Sequence, residues 1–401
     1  MQPRRSVRRL TGAVAASLIT AAAVAGVSTA GAPAAAFTAA VVAPCVAWTG
    51  GEQPPDPGGD SQNNHLSSVA VLSPCEAWAV GDYDPGQTQI AHWDGASWTQ
   101  VPSPDPGTQA RLFGVHALSA SNVWAVGEYF DGSIYKTLIA HWDGLDWTQV
   151  PSPNVTGATQ NVLKAVRGTS ATDVWAVGYY QNSNNVSQTL TLHWNGTAWK
   201  VVPSPDPSGP TLDQELTGVA GTTAQDAWAV GFYYTGTLDK SMILHWNGTA
   251  WKQVTSPNPG SQGTFLEGVR TTSASNAWAV GEAFNGTADK TLIVRWNGTA
   301  WKQVTSPNPG GATHNNDLSS VAATTATDAW AVGDYDSGTG TRTLALHWDG
   351  SAWTQATTPN LGGSSIDDAF TAVAASTSGN VWAVGHYYNG SADQTMAFHC
   401  C

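Results

Sequence analysis

The sequence predicts an all-β fold made of seven repeated units, each with four short antiparallel strands. Charged residues make up only 11% of the 401-residue chain, while Gly (42) and Trp (20) are abundant, which suits strands and turns better than long helices. The segment Trp-Ala-Val-Gly recurs every 46 to 53 residues. A second motif, in most copies His-Trp-Asp/Asn-Gly-x-x-Trp, follows its first six copies. The units are centred on Trp78, Trp124, Trp175, Trp228, Trp278, Trp330 and Trp382.

The sixth unit illustrates how each repeat divides into strands. Strand a is predicted from Leu318 to Val321, strand b from Ala329 to Tyr335 and strand c from Thr343 to Trp348. Strand d runs from Ala352 to about Ala356 and stops before a proline-rich tail, because proline cannot donate a ladder hydrogen bond. Between strands c and d, Asp-Gly or Asn-Gly predicts a two-residue type I′ turn with positive φ at both residues.

Strand b explains why the units must stack. Its Trp and Val side chains project to one face, and its Ala and Gly residues project to the other. Neither face is polar, so each needs cover from a neighbouring unit. Seven units stacked in a ring form a seven-bladed β-propeller, and this is the fold class that the sequence predicts.

The two ends of the chain predict how the ring closes. The last unit ends after strand c, so it lacks a strand d. Residues 45–48 (Cys-Val-Ala-Trp), with the proline-rich segment after them, match the missing strand. We therefore expect residues 44–60 to complete the seventh blade of a propeller that spans residues 44–401. With Trp48 in strand d, all twenty tryptophans occupy repeat positions.

The first thirty residues are expected to be an export signal, followed by a short linker of residues 31–43. Arginines open the chain, an apolar run extends from Leu10 to about Val27, and small residues at 28–30 offer a cleavage site. A membrane anchor is the disfavoured alternative, because the apolar run is alanine-rich and is followed by that small-residue site. The signal leaves the choice between general and twin-arginine export open. Cleavage predicts a secreted or cell-envelope protein.

The charge of the chain and its cysteines limit which binding partners and which covalent links are expected. Cleavage would leave 12 basic and 29 acidic side chains, a formal net charge of −17 that repels nucleic acid. After the signal, no stretch is long and apolar enough to span a bilayer. The protein is expected to be a monomer. In an exported protein, a disulfide from Cys45 to Cys400 or Cys401 would lock the ring, and Cys75 would pair with the remaining cysteine.

Ligand binding is expected on the face that carries the b–c and d–a loops, because these loops are long and differ between units. Tyrosines at the end of strand b suit stacking on sugar rings; alternatively, they pack between blades with the hydroxyl at the rim. The residue after each Trp-Ala-Val-Gly segment is expected near the channel mouth, where carboxylates would hold a cation or polar ligand, or simply be solvated. The candidate ligand-binding residues are Asp82, Tyr83, Glu128, Tyr129, Tyr179, Tyr180, Phe232, Tyr233, Glu282, Asp334, Tyr335, His386 and Tyr387.

Neither a catalytic motif nor a metal-binding motif is evident, and no cofactor is expected. Faint calcium-loop patterns at Asp82 with Asp84 and at Asp334 with Asp336 lack the third acid and the bidentate glutamate. The histidine of the His-Trp motif recurs in almost every unit, which indicates a structural hydrogen bond, since a catalytic base is needed once. Three further residues are expected to point toward the axis: His116, Arg167 and Arg270.

The order of these features resembles Kelch-type propellers over residues 44–401. Residues 381–385 (Val-Trp-Ala-Val-Gly), Trp353 and Pro359 occupy the matching places, although one glycine stands where Kelch units have two. The Asp-Gly-x-x-Trp turn resembles the Asp-box of sialidase-type propellers but is one residue shorter. Similar Trp-Ala-Val-Gly repeats occur in exported, mostly uncharacterised actinobacterial proteins. These resemblances imply a propeller and bring no catalytic residue set.

Three functions are compatible with these observations. The preferred one is a non-enzymatic scaffold that binds a glycan or an extracellular protein. The alternative is a carbohydrate-active hydrolase or lyase that uses two carboxylates among Asp82, Glu128, Glu282 and Asp334. A purely structural role in the cell envelope is the third.

Overall fold

The computed structural model describes residues 48–49, 53–363 and 367–400. The predicted export signal, the linker and Cys45 lie outside these residues, as does Cys401. Within the described ranges the chain forms strands and no helix, in agreement with its composition. No helix in this part of the chain therefore has the length and apolarity to cross a membrane.

The strands are numbered in chain order, with four in each of units one to six and three in unit seven. Units one to three contain β1 (Asn64–Ser73), β2 (Glu76–Tyr83), β3 (Gln87–Trp93), β4 (Trp98–Gln100), β5 (Ala110–Ser119), β6 (Asn122–Phe130), β7 (Tyr135–Trp142), β8 (Trp147–Gln149), β9 (Gln160–Ser170), β10 (Asp173–Gln181), β11 (Ser187–Trp194) and β12 (Trp199–Val201). Units four and five contain β13 (Gln214–Thr223), β14 (Asp226–Tyr234), β15 (Asp239–Trp246), β16 (Trp251–Val254), β17 (Gly263–Ser273), β18 (Asn276–Phe284), β19 (Asp289–Trp296) and β20 (Trp301–Val304). Units six and seven contain β21 (Asn316–Thr325), β22 (Asp328–Asp336), β23 (Thr341–Trp348), β24 (Trp353–Ala356), β25 (Asp368–Thr377), β26 (Asn380–Tyr388) and β27 (Asp393–Cys400).

Each unit is an antiparallel sheet in the strand order a, b, c, d. A single parallel pair, Tyr135 with Gln160, joins units two and three into one eight-stranded sheet, and the seventh unit has three named strands. The described strands thus form six sheets, or seven units when the eight-stranded sheet is divided at that pair. In the sixth unit, strands b, c and d agree with the prediction to within two residues, whereas strand a is longer, Asn316–Thr325.

Alternating faces of strand b pack against different neighbours, as the sequence predicts. Trp278 and Val280 of unit five share a buried cluster with Ala329 and Ala331 of unit six. Seven such clusters each combine two neighbouring units, and one of them joins unit seven, through Trp382, to unit one. Burial of these apolar faces on both sides of every sheet is the main stabilising contribution.

The glycine of strand b is required by the adjacent strand a. A Cβ atom on any of the seven Trp-Ala-Val-Gly glycines would lie 1.8–2.3 Å from a strand-a carbonyl oxygen, as for Gly333 beside Asp317. A bulge in strand a, between Leu318 and Ser320 in unit six, produces this approach.

The segment before β1 contacts the last unit. Thr49 and His399 exchange two backbone hydrogen bonds of 2.9 and 3.0 Å, and Trp48 packs edge-on against Trp330 with ring centroids 5.2 Å apart. The Thr395 N–H donates to Asp56 at 2.7 Å, the same contact that a proline-rich tail makes within its own unit. The described residues show one bridge and not a full ladder, so a complete fourth strand stays a prediction.

Two predictions about local chemistry are wrong. In the c–d turn, Gly95 has a φ of +97°, but the φ of Asp94 is not positive. Its carboxylate instead accepts the N–H groups of Ala96 and Ser97, so a side chain orders the turn. Cys75 is an exposed free thiol against the c–d turn of its own unit, and is not a disulfide partner.

The ring-locking disulfide stays a prediction. Cys400 is fully buried at the place where Trp348 stands in unit six. Its predicted partner Cys45 and the alternative Cys401 lie outside the described residues.

Candidate functional site

A channel runs between the strands a of all seven units. Its larger part has a volume of 370 Å³, and its smaller part, on the side where strands a begin, has a volume of 160 Å³. One strand-a valine from every unit lines the larger part: Val69, Val115, Val166, Val219, Val269, Val321 and Val373. The loop-bearing face of the sheets therefore surrounds the opening of the smaller part.

The residues that follow the Trp-Ala-Val-Gly segments occupy equivalent register positions. Their strand-a partners stand two positions before the strand-a residues that line this end of the channel. Each pairs in register with a strand-a residue of its own unit. Four of them also contact strand a of the next unit: Asp82, Glu128, Phe232 and His386. We call the seven strand-b residues and their strand-a partners the mouth positions. The register pairs are Asp82 with His65, Glu128 with Arg111, Tyr179 with Val162, Phe232 with Glu215, Glu282 with Phe265, Asp334 with Asp317, and His386 with Ala369.

Contacts between units give each interface its own chemistry. Arg111 of unit two lies 3.5 Å from the Asp82 carboxylate of unit one. The amide of Gln160 donates to Glu128 at 3.0 Å, and Glu128 is only 6% exposed. Burial raises the pKa of both carboxyls, opposed by Arg111 at Asp82 and by the Gln160 hydrogen bond at Glu128. These two carboxylates are therefore partnered.

Glu282 and Asp334 lie in a second acidic region, at units five and six. Burial raises the pKa of Glu282 to about 9, with further contributions from Glu267 and Asp317. Burial also raises the pKa of Asp334 and of Glu267 to about 7 each, and that of Asp317 to about 6. Carboxyls that hold protons near neutral pH can donate hydrogen bonds to a ligand or act as general acids. The four predicted carboxylates thus separate into two different environments.

The tyrosines at the end of strand b mostly follow the alternative interpretation. Successive strand residues point to opposite faces, so the tyrosines next to the mouth positions turn away from the channel. Those that pack, partly buried, against the clusters between units are Tyr129, Tyr180, Tyr233, Tyr335 and Tyr387. Tyr233 and Tyr335 also line separate cavities of 330 and 310 Å³. Tyr179 is itself a mouth position, and burial raises its pKa; Tyr83 is partly exposed.

An open groove of 530 Å³ lies on the loop-bearing face across units three to five. The rings of Phe232 and Phe265 meet edge to face there, with centroids 5.0 Å apart. The Asp213 carboxylate accepts the Ser187 N–H at 2.8 Å, which joins loops of two units. The groove, which we call the aromatic groove, is lined by Gln181, Asn185, Ser187, Asp213, Glu215, Phe232, Tyr234, Asp239 and Phe265. Of these, Phe232 was among the candidate ligand-binding residues, and Tyr234 is one of the tyrosines that the sequence places at the end of strand b.

Basic residues occupy the larger part of the channel. His116, Arg167 and Arg270 line it, as expected from their positions in strand a. The Arg167 guanidinium donates to Nδ1 of His116 at 3.3 Å, and neither arginine pairs with an acid within the described residues. Burial lowers the pKa of His116 well below its usual range and that of Arg270 to about 10. The channel is thus acidic at its mouth and basic further in.

The recurrent histidines are structural, as predicted. His193 bonds to Asp173 at 2.7 Å and stacks on Trp175 with ring centroids 4.4 Å apart. An acid or amide at the start of strand b is the partner in the other units as well, and Arg295 takes this role in unit five by donating to Asn276.

The weak calcium candidates have other partners. Asp84 accepts from the Asn63 side chain at 2.9 Å, and Asp336 lies 2.9 Å from His314. In the described part of the chain, the one group of three side chains placed to ligate a metal is His65, His386 and Asp393. His386 was a candidate from the sequence, whereas the other two were not.

These features define a β-propeller protein, and comparison with solved structures supports that class. YCF48 bound to D1 peptide aligns with a TM-score of 0.54 at 14% identity, covering 89% of this chain and 99% of its own. YCF48 from Cyanidioschyzon merolae gives 0.51 at 14% identity, with coverages of 88% and 99%. A PL25 polysaccharide lyase, an ulvan lyase bound to -[GlcA(1-4)Rha3S]-, gives 0.50 at 9% identity, with coverages of 90% and 95%.

At such identities the similarity shows the fold alone. No protein-family model and no curated protein sequence matches the chain.

Proposed function

We propose that this protein is a secreted, non-enzymatic, seven-bladed β-propeller that binds glycans through the aromatic groove. In this proposal, residues 1–30 are removed on export and residues 44–60 supply the last strand of blade seven. The observation that carries the proposal is the aromatic groove itself, an open concavity that combines aromatic rings with polar side chains on the loop-bearing face.

The composition of the groove favours a sugar ligand. Phe232, Phe265 and Tyr234 offer apolar faces for the C–H side of a pyranose ring, and nearby amides and carboxylates offer hydrogen bonds to hydroxyl groups. Its 530 Å³ lies within the roughly 300–1,000 Å³ that small-molecule sites occupy.

Charge narrows the kind of glycan. Three carboxylates, Asp213, Glu215 and Asp239, line the groove together with no lysine or arginine. A uronic acid or sulfated sugar would be repelled, so we expect a neutral or amino-bearing glycan.

Solved structures of similar fold contain ligands of both classes, glycan and peptide. The lyase of similar fold is bound to an oligosaccharide, and YCF48 is bound to a peptide. A concave aromatic surface also argues against a purely structural envelope protein, which would need none.

A glycan array with the protein lacking residues 1–30 tests the proposal. Binding of neutral or amino-bearing glycans should weaken at least about tenfold in Phe232→Ala, the equivalent of about 1.4 kcal/mol. Phe130→Ala is the matched control, because the Phe130 ring contacts the Tyr135 ring in unit two, outside the groove. Absence of any glycan signal above background, or equal losses in both variants, would refute glycan recognition by the groove.

A second candidate is a carbohydrate-active hydrolase or lyase at units five and six. The raised pKa values of Glu282 and Asp334, about 9 and about 7, favour it because a protonated carboxyl at neutral pH is what a general acid requires. Incubation with neutral and uronic-acid polysaccharides should release reducing or unsaturated ends. Glu282→Gln should then lower the rate about 10²-fold or more. If the unmodified protein gives no product across the panel, this candidate is excluded.

A further inference from the structure

Three side chains from opposite ends of the sequence converge between the last and first units. His65 lies on β1, His386 on β26, and Asp393 is the first residue of β27. One ligand atom of each lies within 4.8 Å of the other two. The closest pair is Nε2 of His65 and Oδ2 of Asp393, 2.9 Å apart, and the two imidazole rings meet edge to face with centroids 5.0 Å apart.

We propose that His65, His386 and Asp393 bind a divalent transition-metal ion of the zinc class. Two imidazole nitrogens and one carboxylate oxygen are the donor set that zinc uses in open, three-ligand sites. Donor atoms about 2.0–2.2 Å from a common ion lie roughly 3–4 Å apart. The observed separations extend up to 4.8 Å, so metal binding requires the side chains to rotate toward a common ion.

A hydrogen-bonding deficit in the same cluster supports metal binding. Nδ1 of His386 is shielded from solvent and has no hydrogen-bond partner. A buried polar atom without a partner is destabilising, and a bond to a metal would satisfy the ring. An isolated His65–Asp393 ion pair would explain the 2.9 Å contact but would leave His386 without a partner.

Neighbouring groups hold the carboxylate ligand in place. The backbone N–H of Asp393 donates to the Asn63 side chain at 3.1 Å, and the Asn63 amide in turn donates to Asp84 at 2.9 Å. Asn63 lies two residues before His65, so one short segment of unit one orients ligands of both units. Such outer contacts fix the geometry of metal ligands in many sites.

The repeat shows what is particular about this interface. Two other interfaces place a strand-b mouth residue, the first residue of strand c and a strand-a residue of the next unit at the same register positions. Between units five and six the equivalent residues are Glu282, Asp289 and Asp317, and between units four and five they are Phe232, Asp239 and Phe265. In the described residues, this geometry produces a nitrogen-rich donor set only between units seven and one.

The metal would tie together the two ends of the propeller. Because His386 and Asp393 belong to unit seven and His65 to unit one, a bound ion would link units that are joined by packing and hydrogen bonds, not by consecutive chain. Three protein ligands leave at least one coordination position for water or a ligand. The inference concerns a different interface from the aromatic groove and stands without it.

Zinc titration of tag-free protein that has been treated with a chelator tests the inference. Isothermal titration calorimetry should show one Zn²⁺ per chain, and the unfolding temperature should rise with Zn²⁺ and fall back on addition of chelator. Substituted Cu²⁺ should give an electron paramagnetic resonance spectrum with coupling to two nitrogen ligands.

Variants separate this site from other histidines. His386→Ala and Asp393→Asn should each weaken Zn²⁺ binding by more than the roughly 10- to 100-fold that loss of an outer contact causes. His314→Ala is the matched control, because His314 and Asp336 form a 2.9 Å pair without a third ligand, and its affinity should equal that of the unmodified protein. Circular dichroism monitors folding of each variant, and the Cu²⁺ spectrum of the unmodified protein provides a test that needs no variant.

The inference is overturned by either of two results. One is the absence of heat and of thermal shift with Zn²⁺ up to about 1 mM, which is weaker than any functional site requires. The other is an equal loss of affinity in His314→Ala and His386→Ala, which would indicate unspecific binding to surface histidines.

Discussion

Charged side chains around the channel are buried with few counter-charges. Glu282 has acidic neighbours, and Arg270 has no acid partner in the described residues. Burying a charge without a partner costs free energy. Burial therefore raises the pKa of these acids and lowers the pKa of these bases, which favours the neutral form of each. Buried ionisable groups with strongly shifted pKa values often lie at functional sites. We therefore expect ligand contacts at the mouth positions.

Glu282 gives a pH-dependent prediction at this scale. Its pKa is about 9 in the folded protein and near 4.5 in the unfolded chain, so the folded state binds the extra proton and stability falls as pH rises from about 5 to 9. Glu282→Gln should therefore stabilise the protein by roughly 1 to 3 kcal/mol at pH 8 and have little effect at pH 4. Denaturant unfolding at both pH values measures this. Asp146→Asn, an exposed acid, is the control, and a stabilisation that is equal at both pH values would contradict the prediction.

At the scale of the elements, strand b carries the constraints that define the repeat. Its tryptophan and valine fill one interface, its alanines accept the neighbour, and its glycine admits the bulged strand a. The packing of each unit thus depends on the four residues of its Trp-Ala-Val-Gly segment. A change in the size of any of these side chains would displace a neighbouring strand.

Gly333→Ala should destabilise the protein by about 3 kcal/mol or more, because the new methyl group would lie 2.1 Å from the Asp317 carbonyl oxygen. Gly168→Ala is the control, since its methyl group would meet only the Leu118 and Val174 side chains, at 3.0 Å and beyond. Thermal unfolding compares the two. Equal small effects would show that strand a can move away from strand b.

The strands also show which parts of the fold and of the candidate site could be predicted from the sequence. Strands b, c and d were predictable because each contains part of a repeated motif with regular alternation. Strand a was underestimated because the bulge between Leu318 and Ser320 interrupts that alternation. The turn was misjudged because Asp94 orders it through its carboxylate, which a preference for positive φ does not reveal. Phe232 and Glu282 were found by their repeat position, but Phe265, Asp239 and His65 lie near the starts of strands a and c, outside the repeated motifs.

At the scale of the whole molecule, the contacts between the first and last units decide whether the units act as one cooperative structure. A buried cluster joins units seven and one, Thr371 donates to the Leu66 carbonyl across that interface, and Trp48 packs on Trp330 as strand-d tryptophans do elsewhere. A stack of units left open would expose two apolar sheet faces, whereas joined ends expose none.

Trp48→Ala tests the proposed closure. If residues 44–60 complete blade seven, the substitution should destabilise the protein by about 3 to 5 kcal/mol, as for other buried tryptophans. Trp353→Ala, at the equivalent place in unit six, should have a similar cost. Unfolding midpoints of the two variants provide the comparison. A neutral Trp48→Ala beside a costly Trp353→Ala would mean that the leading segment is dispensable.

The interfaces share a common backbone arrangement and differ in the side chains at their mouth positions. Distant substitutions in a rigid scaffold have nearly additive effects. An acidic trio, a phenylalanine pair and a histidine pair already coexist around one opening, each on the same framework. Substitutions at one interface can therefore change ligand recognition there without disturbing the other interfaces, and changes at several interfaces can be combined in one protein.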